Sequence, residues 1–249
     1  MGGKVPAAAR SLALWLQAPF GAMAASNEIK RFSDEIADLG EHTLETHVNK
    51  ASRAGRRVEN QVAPLQVMPE YSYGIWKNWE FSLQLPASLP QGRIRSDGYR
   101  AELQYVAPHD EDQGFYWGFN VEAVRSTRFG EPAIWNLEMI PILGIRIDRW
   151  HLIANPGIAL PLMQAEKRVN FEPAYKASYR TFTSGSFGVE YYEEAGPLWK
   201  LLPGDQRYRV LYFAWDGKIG KSDINLGVGR GLNSASDRLV FKTVFEFAF

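Results

Sequence analysis

The amino-acid sequence predicts an all-β fold: a transmembrane, antiparallel, up-and-down β-barrel of about 12 strands, an even number as single-chain bacterial barrels have. Three observations predict it. From Glu41 to Phe249 the chain alternates apolar and polar residues with period two, as a strand does when its two faces meet different surroundings. The connections between these segments alternate in length, mostly long after odd-numbered strands and mostly short after even-numbered ones. No segment supplies the roughly 20 apolar residues that a membrane helix needs, so a membrane-spanning chain of this kind crosses with strands.

Composition narrows the function classes. The 249 residues include 28 basic and 28 acidic side chains and no Cys. Balanced charge gives no argument for a nucleic-acid partner. Without Cys there is neither a disulfide framework nor a thiolate metal site, and no cofactor motif is present. Aromatic residues make up 13% of a chain whose mean hydropathy is slightly polar, as interleaved apolar and polar residues give.

In chain order, residues 1–24 read as a signal peptide. Lys4 and Arg10 make a basic start, Ser11 to Phe20 is mostly apolar, and Ala22-Met23-Ala24 has the small-x-small pattern of a cleavage site. Cleavage is expected after Ala24, with Ala25 as the competitor. The other reading is an amphipathic N-terminal helix. Residues 25–40 form a separate N-terminal periplasmic or plug segment. Ile29, Phe32, Ile36 and Leu39 fall at helix-like spacing before Gly40, which predicts a short amphipathic helix; a disordered lead-in is the alternative.

The barrel is placed over residues 41–249. Its first strand, about His42 to Lys50, opposes Leu44 and Val48 to Glu45, His47 and Asn49. The second, Leu65 to Trp76, and the third, Trp79 to Leu85, form a hairpin around Lys77-Asn78, with Tyr71, Tyr73, Phe81 and Leu83 opposite Glu70, Ser72, Glu80 and Gln84. Residues 86–97, rich in Pro and Gly, read as a loop. The fourth strand sets Tyr99, Leu103 and Tyr105 against Arg100, Glu102 and Gln104; the fifth sets Trp117, Phe119 and Val121 against Gly118, Asn120 and Glu122. The sixth sets Leu137, Met139 and Leu143 against Glu138, Gly144 and Arg146, and Asp148-Arg149 turns into a more apolar seventh with His151 and Asn155 on its minority face. The eighth sets Phe171, Tyr175 and Tyr179 against Glu172, Lys176 and Arg180; the ninth sets Val189 and Tyr191 against Glu190 and Tyr192. The tenth, about Tyr208 to Asp216, has ambiguous facing, and the eleventh covers about Asp223 to Gly231. Pro69, Pro141, Pro156 and Pro173 interrupt strands and are expected at bulges, because Pro removes a ladder hydrogen bond.

The last strand, Leu239 to Phe249, puts Phe241, Phe245, Phe247 and Phe249 on one face and Lys242 and Glu246 on the other. A soluble sheet would turn the aromatic face to a core, and a membrane barrel turns it to lipid. The stretch resembles the C-terminal recognition signal of bacterial outer-membrane barrels: Lys242, Phe247 and Phe249 fit it, and Val244 stands where that signal usually has Gly. The resemblance implies assembly by the barrel-assembly machinery.

Alternation gathers the lumen-facing candidates Glu45, Glu70, Glu80, Glu102, Glu122, Glu138, Glu172 and Glu190 with Arg100, Arg146, Lys176, Arg180 and Lys242. Buried charges must be paired or wet. The lumen is therefore either salt-bridged shut or holds an aqueous path whose charges set selectivity. Gln84 and Asn120 are expected to face wet lumen beside lipid-facing Leu83 and Phe119. His42 and His47 fall on opposite faces, so no metal site is expected. A catalytic Ser beside a lipid-facing His would indicate a lipid-modifying barrel enzyme, but no Ser stands in that position and no G-x-S-x-G occurs.

Several phrases carry a family resemblance: Val67-Met-Pro-Glu-Tyr-Ser-Tyr-Gly-Ile-Trp-Lys-Asn-Trp-Glu-Phe-Ser-Leu-Gln-Leu-Pro86, Asn155-Pro-Gly157, Phe171-Glu-Pro-Ala174 and Asn225-Leu-Gly-Val-Gly-Arg-Gly231. In that order they resemble the outer-membrane barrel family named for the MetA pathway of phenol degradation. The resemblance implies a Gram-negative outer-membrane transporter, with a link to aromatic compounds through the family's name, and it carries no site residues over. The resulting expectation is a monomeric barrel in outer-membrane lipid that passes a small-molecule solute. A closed structural or surface-binding barrel is the alternative.

Overall fold

The computed structural model describes residues 32–52, 65–127, 133–163, 168–181 and 185–249. The predicted signal peptide and residues 25–31 lie outside the described residues.

Twelve long antiparallel strands close into one ring. They are β1 (His42–Ala51), β2 (Leu65–Trp76), β3 (Trp79–Gln84), β4 (Gly98–Val106), β5 (Gly114–Ser126), β6 (Ile134–Ile147), β7 (Trp150–Pro161), β8 (Asn170–Arg180), β9 (Ser186–Glu194), β10 (Tyr208–Ile219), β11 (Ser222–Gly231) and β12 (Leu239–Ala248). Each strand pairs with its neighbours in sequence, and β1 closes the ring on β12, with Leu44 opposite Phe247 and Asn49 opposite Lys242. The main-chain N–H of Phe249 continues that seam by donating to the His42 carbonyl at 2.9 Å.

The expected alternation of connections is present. Lys77-Asn78, Asp148-Arg149 and Gly220-Lys221 make two-residue turns, helped by positive φ at Asn78, Asp148 and Gly220. Longer connections leave the other end of the barrel. By the convention of such barrels, the short-turn end is periplasmic. Residues 86–97 are not wholly loop: Ala87–Leu89 carries the β3 side onward against β2, Pro90–Gly92 forms a 3₁₀ turn and Arg95–Ser96 pairs with Ala87 and Ser88.

The exterior is an apolar belt. Leu44, Phe81, Trp117, Leu143, Val189, Phe213, Val228 and Phe241 are all exposed, Phe213 to 60%. Exposed apolar surface of this extent encircling a closed sheet is lipid-facing surface. The fold is that of a transmembrane barrel of the Gram-negative outer membrane.

Two local expectations are corrected and one ambiguity is resolved. The prolines do not sit at bulges. Pro141 and Pro156 lie in a short gap of the β6–β7 ladder, between Met139–Ile158 and Leu143–Ala154, with the same register on both sides. Pro173 stands opposite Pro156 on β8. Pro69 lies where the partner of β2 passes from β3 to Ala87–Leu89, again without a slip. A missing N–H therefore weakens the ladder locally at most and leaves the register intact. Residues 32–40 contain no helix, because their polar backbone groups bond to the barrel wall instead of to one another. The facing of β10 resolves with Val210, Tyr212, Ala214 and Asp216 inward; it was illegible because both faces are largely apolar.

These faces give a stability prediction. Phe213→Lys on the lipid face should cost about 2–4 kcal/mol, and Val244→Lys, facing the cavity described below, at most about 1 kcal/mol. Urea titration of folded protein in lipid vesicles checks the ordering, and equal costs would contradict the assigned faces.

Candidate functional site: the barrel lumen

Most of the charged residues assigned inward by alternation are buried, and they form separate groups. Towards the long-loop end, Arg100 donates to Glu122 at 2.9 Å, and Gln84 donates to Glu102 at 2.6 Å. Glu102, Glu122 and Glu138 stand abreast on β4, β5 and β6 and are buried. Gln84 and Asn120 are both fully buried, so the expectation of wet lumen at these two positions is corrected. Gln84 is drawn in by its bond to Glu102, and Asn120 is covered by the layer that packs beside it. Across the same end, Tyr192, Val210, Tyr212 and Val240 pack with Ala51 and Ala174. Tyr192 meets Tyr212 edge to face at 5.6 Å.

A second group joins β8, β9, β10 and β12. Lys176 lies 3.3 Å from Glu190 and 2.5 Å from Asp216. Lys242 bonds Glu190, and Tyr192 donates to the same carboxylate at 2.9 Å. The Lys242 ammonium also lies 5.5 Å from the centres of the Tyr192 and Tyr212 rings. Asp216 escaped the sequence reading because the facing of its strand was unreadable. Glu172 is half-buried near the long-loop end, and Arg180 is exposed at the short-turn mouth.

The third group holds residues 32–40 against the inner wall. Phe32 packs on Tyr116 and Ile142, and its N–H donates to Asn155 at 3.2 Å. Gln104 donates to the Ser33 carbonyl at 3.0 Å, and the Ala37 N–H donates to Glu80 at 2.6 Å. Asp34 takes two hydrogen bonds from Arg146, that from Nη2 at 2.9 Å, and lies 2.7 Å from His109 Nε2. Gly40 donates to the Gly74 carbonyl at 2.8 Å. The segment thus tracks along β7, β6, β5, β4, β3 and β2 before entering β1. Two glycines make room: a Cβ on Gly74 would lie 1.9 Å from the Asp38 carbonyl oxygen, and one on Gly144 would lie 2.0 Å from the Tyr116 ring. Both were legible as inward glycines, whereas Asp34 and His109 were not legible as a pair because 75 residues separate them.

Burial acts to raise the Asp34 carboxyl, but the hydrogen bonds and charge of Arg146, with His109 and His151, outweigh it and hold the group below its usual value of 3.8. A depressed carboxylate contributes stability above its unfolded value and loses it as pH falls through the folded one.

Between these groups lies a cavity of about 930 Å³ at the short-turn half of the barrel. Residues 33, 35–37 and 41 line one side, and Lys176, Glu190, Asp216 and Lys242 line the other. Asp112, Asp148, Lys221 and Ala248 mark its periplasmic opening. Carboxylates outnumber Lys and Arg side chains among its lining residues.

The class of protein is thus set by fold and lumen: a β-barrel of outer-membrane type with a charged interior. No protein-family model matches the chain, and no curated protein matches its sequence. Solved structures do. A KdgM porin superposes with a TM-score of 0.57 at 9% identity, covering 83% of this chain and 99% of its own. An outer-membrane channel from Pseudomonas putida F1 superposes with a TM-score of 0.59 at 11% identity, covering 89% of this chain and 100% of its own. At these identities the likeness establishes the shared barrel fold.

The Asp34 cluster gives a pH prediction. The docking of residues 32–40 should persist from neutral pH down to about pH 4 and loosen below it. Asp34→Asn should loosen it at every pH. Amide hydrogen exchange at Ala37 and Gly40 reads both, and unchanged protection in Asp34→Asn would show that the ion pairs do not hold the segment.

Proposed function

We propose that this barrel passes a small solute passively across the outer membrane, with residues 25–40 acting as a plug that limits the periplasmic opening. The observation that carries the reading is the charge-lined cavity of about 930 Å³, open at the short-turn end and walled on one side by residues 33, 35–37 and 41. A barrel serving only as a scaffold needs no such wet volume. Solved barrels that share the fold are a porin and an outer-membrane channel, and the sequence resemblance to the MetA-pathway family points the same way, with aromatic compounds as the candidate solute class. The acidic excess of the lining favours cations over anions, because charges in a narrow low-dielectric passage are little screened. Full passage requires the packed layer around Arg100, Glu122 and Tyr212 to yield as well, so the conductance is small. Non-enzymatic function, a monomeric state, and insertion by the barrel-assembly machinery complete the reading.

Planar-bilayer recording tests it. Wild-type protein should pass a small cation-preferring current, and deletion of residues 25–40 should raise the conductance severalfold. Glu246→Gln with Asp223→Asn should move the reversal potential in a salt gradient toward anions. Silence from both the wild type and the deletion would leave a closed structural barrel as the better account.

Assembly supplies a second test. Phe249 stacks on His42 and Phe247 with ring centres 5.8 and 6.1 Å away, at the seam between first and last strands. Its deletion should slow insertion, measured as the rate at which heat-modifiable barrel accumulates in the outer membrane. Normal accumulation would remove Phe249 from the assembly signal.

A further inference from the structure

We propose that Glu45, His47 and Glu70 form a divalent-metal site on the lumen wall, suited to a first-row ion such as Zn²⁺ that accepts imidazole and carboxylate ligands together. The site does not depend on the transport reading.

Strand geometry assembles it. Glu45 and His47 are two residues apart on β1 and so share the lumen face. The β1–β2 register puts Glu70 directly opposite Glu45. One donor atom from each of the three residues lies within 4.8 Å of the others. No metal is legible in β1 alone, where His42 and His47 face opposite ways, because the third donor comes from the neighbouring strand.

The histidine makes this more than an acidic patch. His47 is 3% exposed, and its Nε2 is fully buried against the lumen wall. That nitrogen is aimed between the two carboxylates: it faces Glu70 Oε2 at 3.4 Å and touches Glu45 Oε1. Tetrahedral ligands bound at about 2.0–2.1 Å stand roughly 3.3–3.4 Å apart, which is the observed spacing of the His47 and Glu70 donors. Glu45 is half-buried and lines the cavity, so its carboxylate can turn outward to share an ion. All three residues border the cavity, which gives an ion its route in and leaves its remaining position to water.

Charge balance points the same way. Glu45 is flanked by Glu70 on β2 and by Glu246 on β12, and Glu246 stands opposite Asp223 on β11. Four carboxylates therefore lie abreast across four strands, where like charges directly opposite each other are destabilising. Lys242 is occupied with Glu190, and Lys218 sits 3.1 Å from Asp223 at the exposed end of the row. A single positive charge on His47 would offset only part of this row, and a divalent ion at the same point offsets more.

The test uses the full mature chain folded in detergent, stripped by chelator and titrated with Zn²⁺ by calorimetry, with Co²⁺ as the spectroscopic probe. One ion should bind per chain, and Co²⁺ should give the visible absorption of a site with nitrogen and oxygen ligands. His47→Gln and Glu70→Gln should each lower affinity by more than the about 10–100-fold that loss of an outer-shell partner costs. His42→Gln should leave binding unchanged, because His42 faces outward and stacks on Tyr73. If the buried substitutions prevent folding, Glu45→Gln at the cavity edge carries the test, with a loss of about tenfold or more. Failure of the wild type to bind Zn²⁺ would overturn the proposal and leave His47 as a bridge between two carboxylates. Binding that is equal in the wild type and Glu45→Gln would also overturn it.

Discussion

In the core of a bilayer no water is available to an unpaired N–H or C=O, so the two edge strands of this sheet must find each other. β1 and β12 do so through a continuous register from Thr43–Ala248 to Ala51–Val240. Everything else depends on that closure. It fixes which residues face lipid and which face the lumen, and it fixes the lumen's width, because strand number sets barrel diameter. It also explains why four strand prolines are tolerated without a slip: the neighbouring rungs hold the register, and the ring leaves no free edge to shift.

Closure then creates a second problem. A barrel of this size encloses little more than its own inward side chains, and here many of those are charged. The chain resolves this in two ways along one axis. Towards the long-loop end, charges pair with each other and aromatic rings pack beside them, so that Glu102, Glu122, Tyr212 and Asn120 are almost wholly buried. Towards the short-turn end, a water-accessible cavity remains, and its lining charges are paired with the N-terminal segment, paired with one another across the wall, or left at the wet surface. The segment is therefore an insert that satisfies Glu80, Arg146 and Asn155 with its own backbone and with Asp34.

This division gives the lumen its character. The packed layer is costly to open, because removing one member leaves a buried partner unpaired. The segment at the other end is held by a few hydrogen bonds and ion pairs to rigid strands. Elements of that kind open more readily than the sheet that carries them, so the adjustable part of the passage lies at the periplasmic end.

The sequence by itself determined the strand count, the inward and outward faces of most strands, though not of β10, and the alternation of long and short connections. Each rests on period-two alternation or local turn chemistry, which neighbouring residues specify; Lys77-Asn78 and Asp148-Arg149 are examples. It also named the inward charges, since one strand's alternation assigns them. Only the tertiary structure decided how those charges combine. Asp34 meets Arg146 across 112 positions, Lys242 meets Glu190 across 52, and Gln84 is dry because Glu102 stands beside it. Residues 32–40 carry a helix-like spacing that their surroundings override, because wall residues of four strands supply backbone partners that a helix would otherwise provide. Pairing across a lumen depends on ring closure and register, which juxtapose residues far apart in the chain.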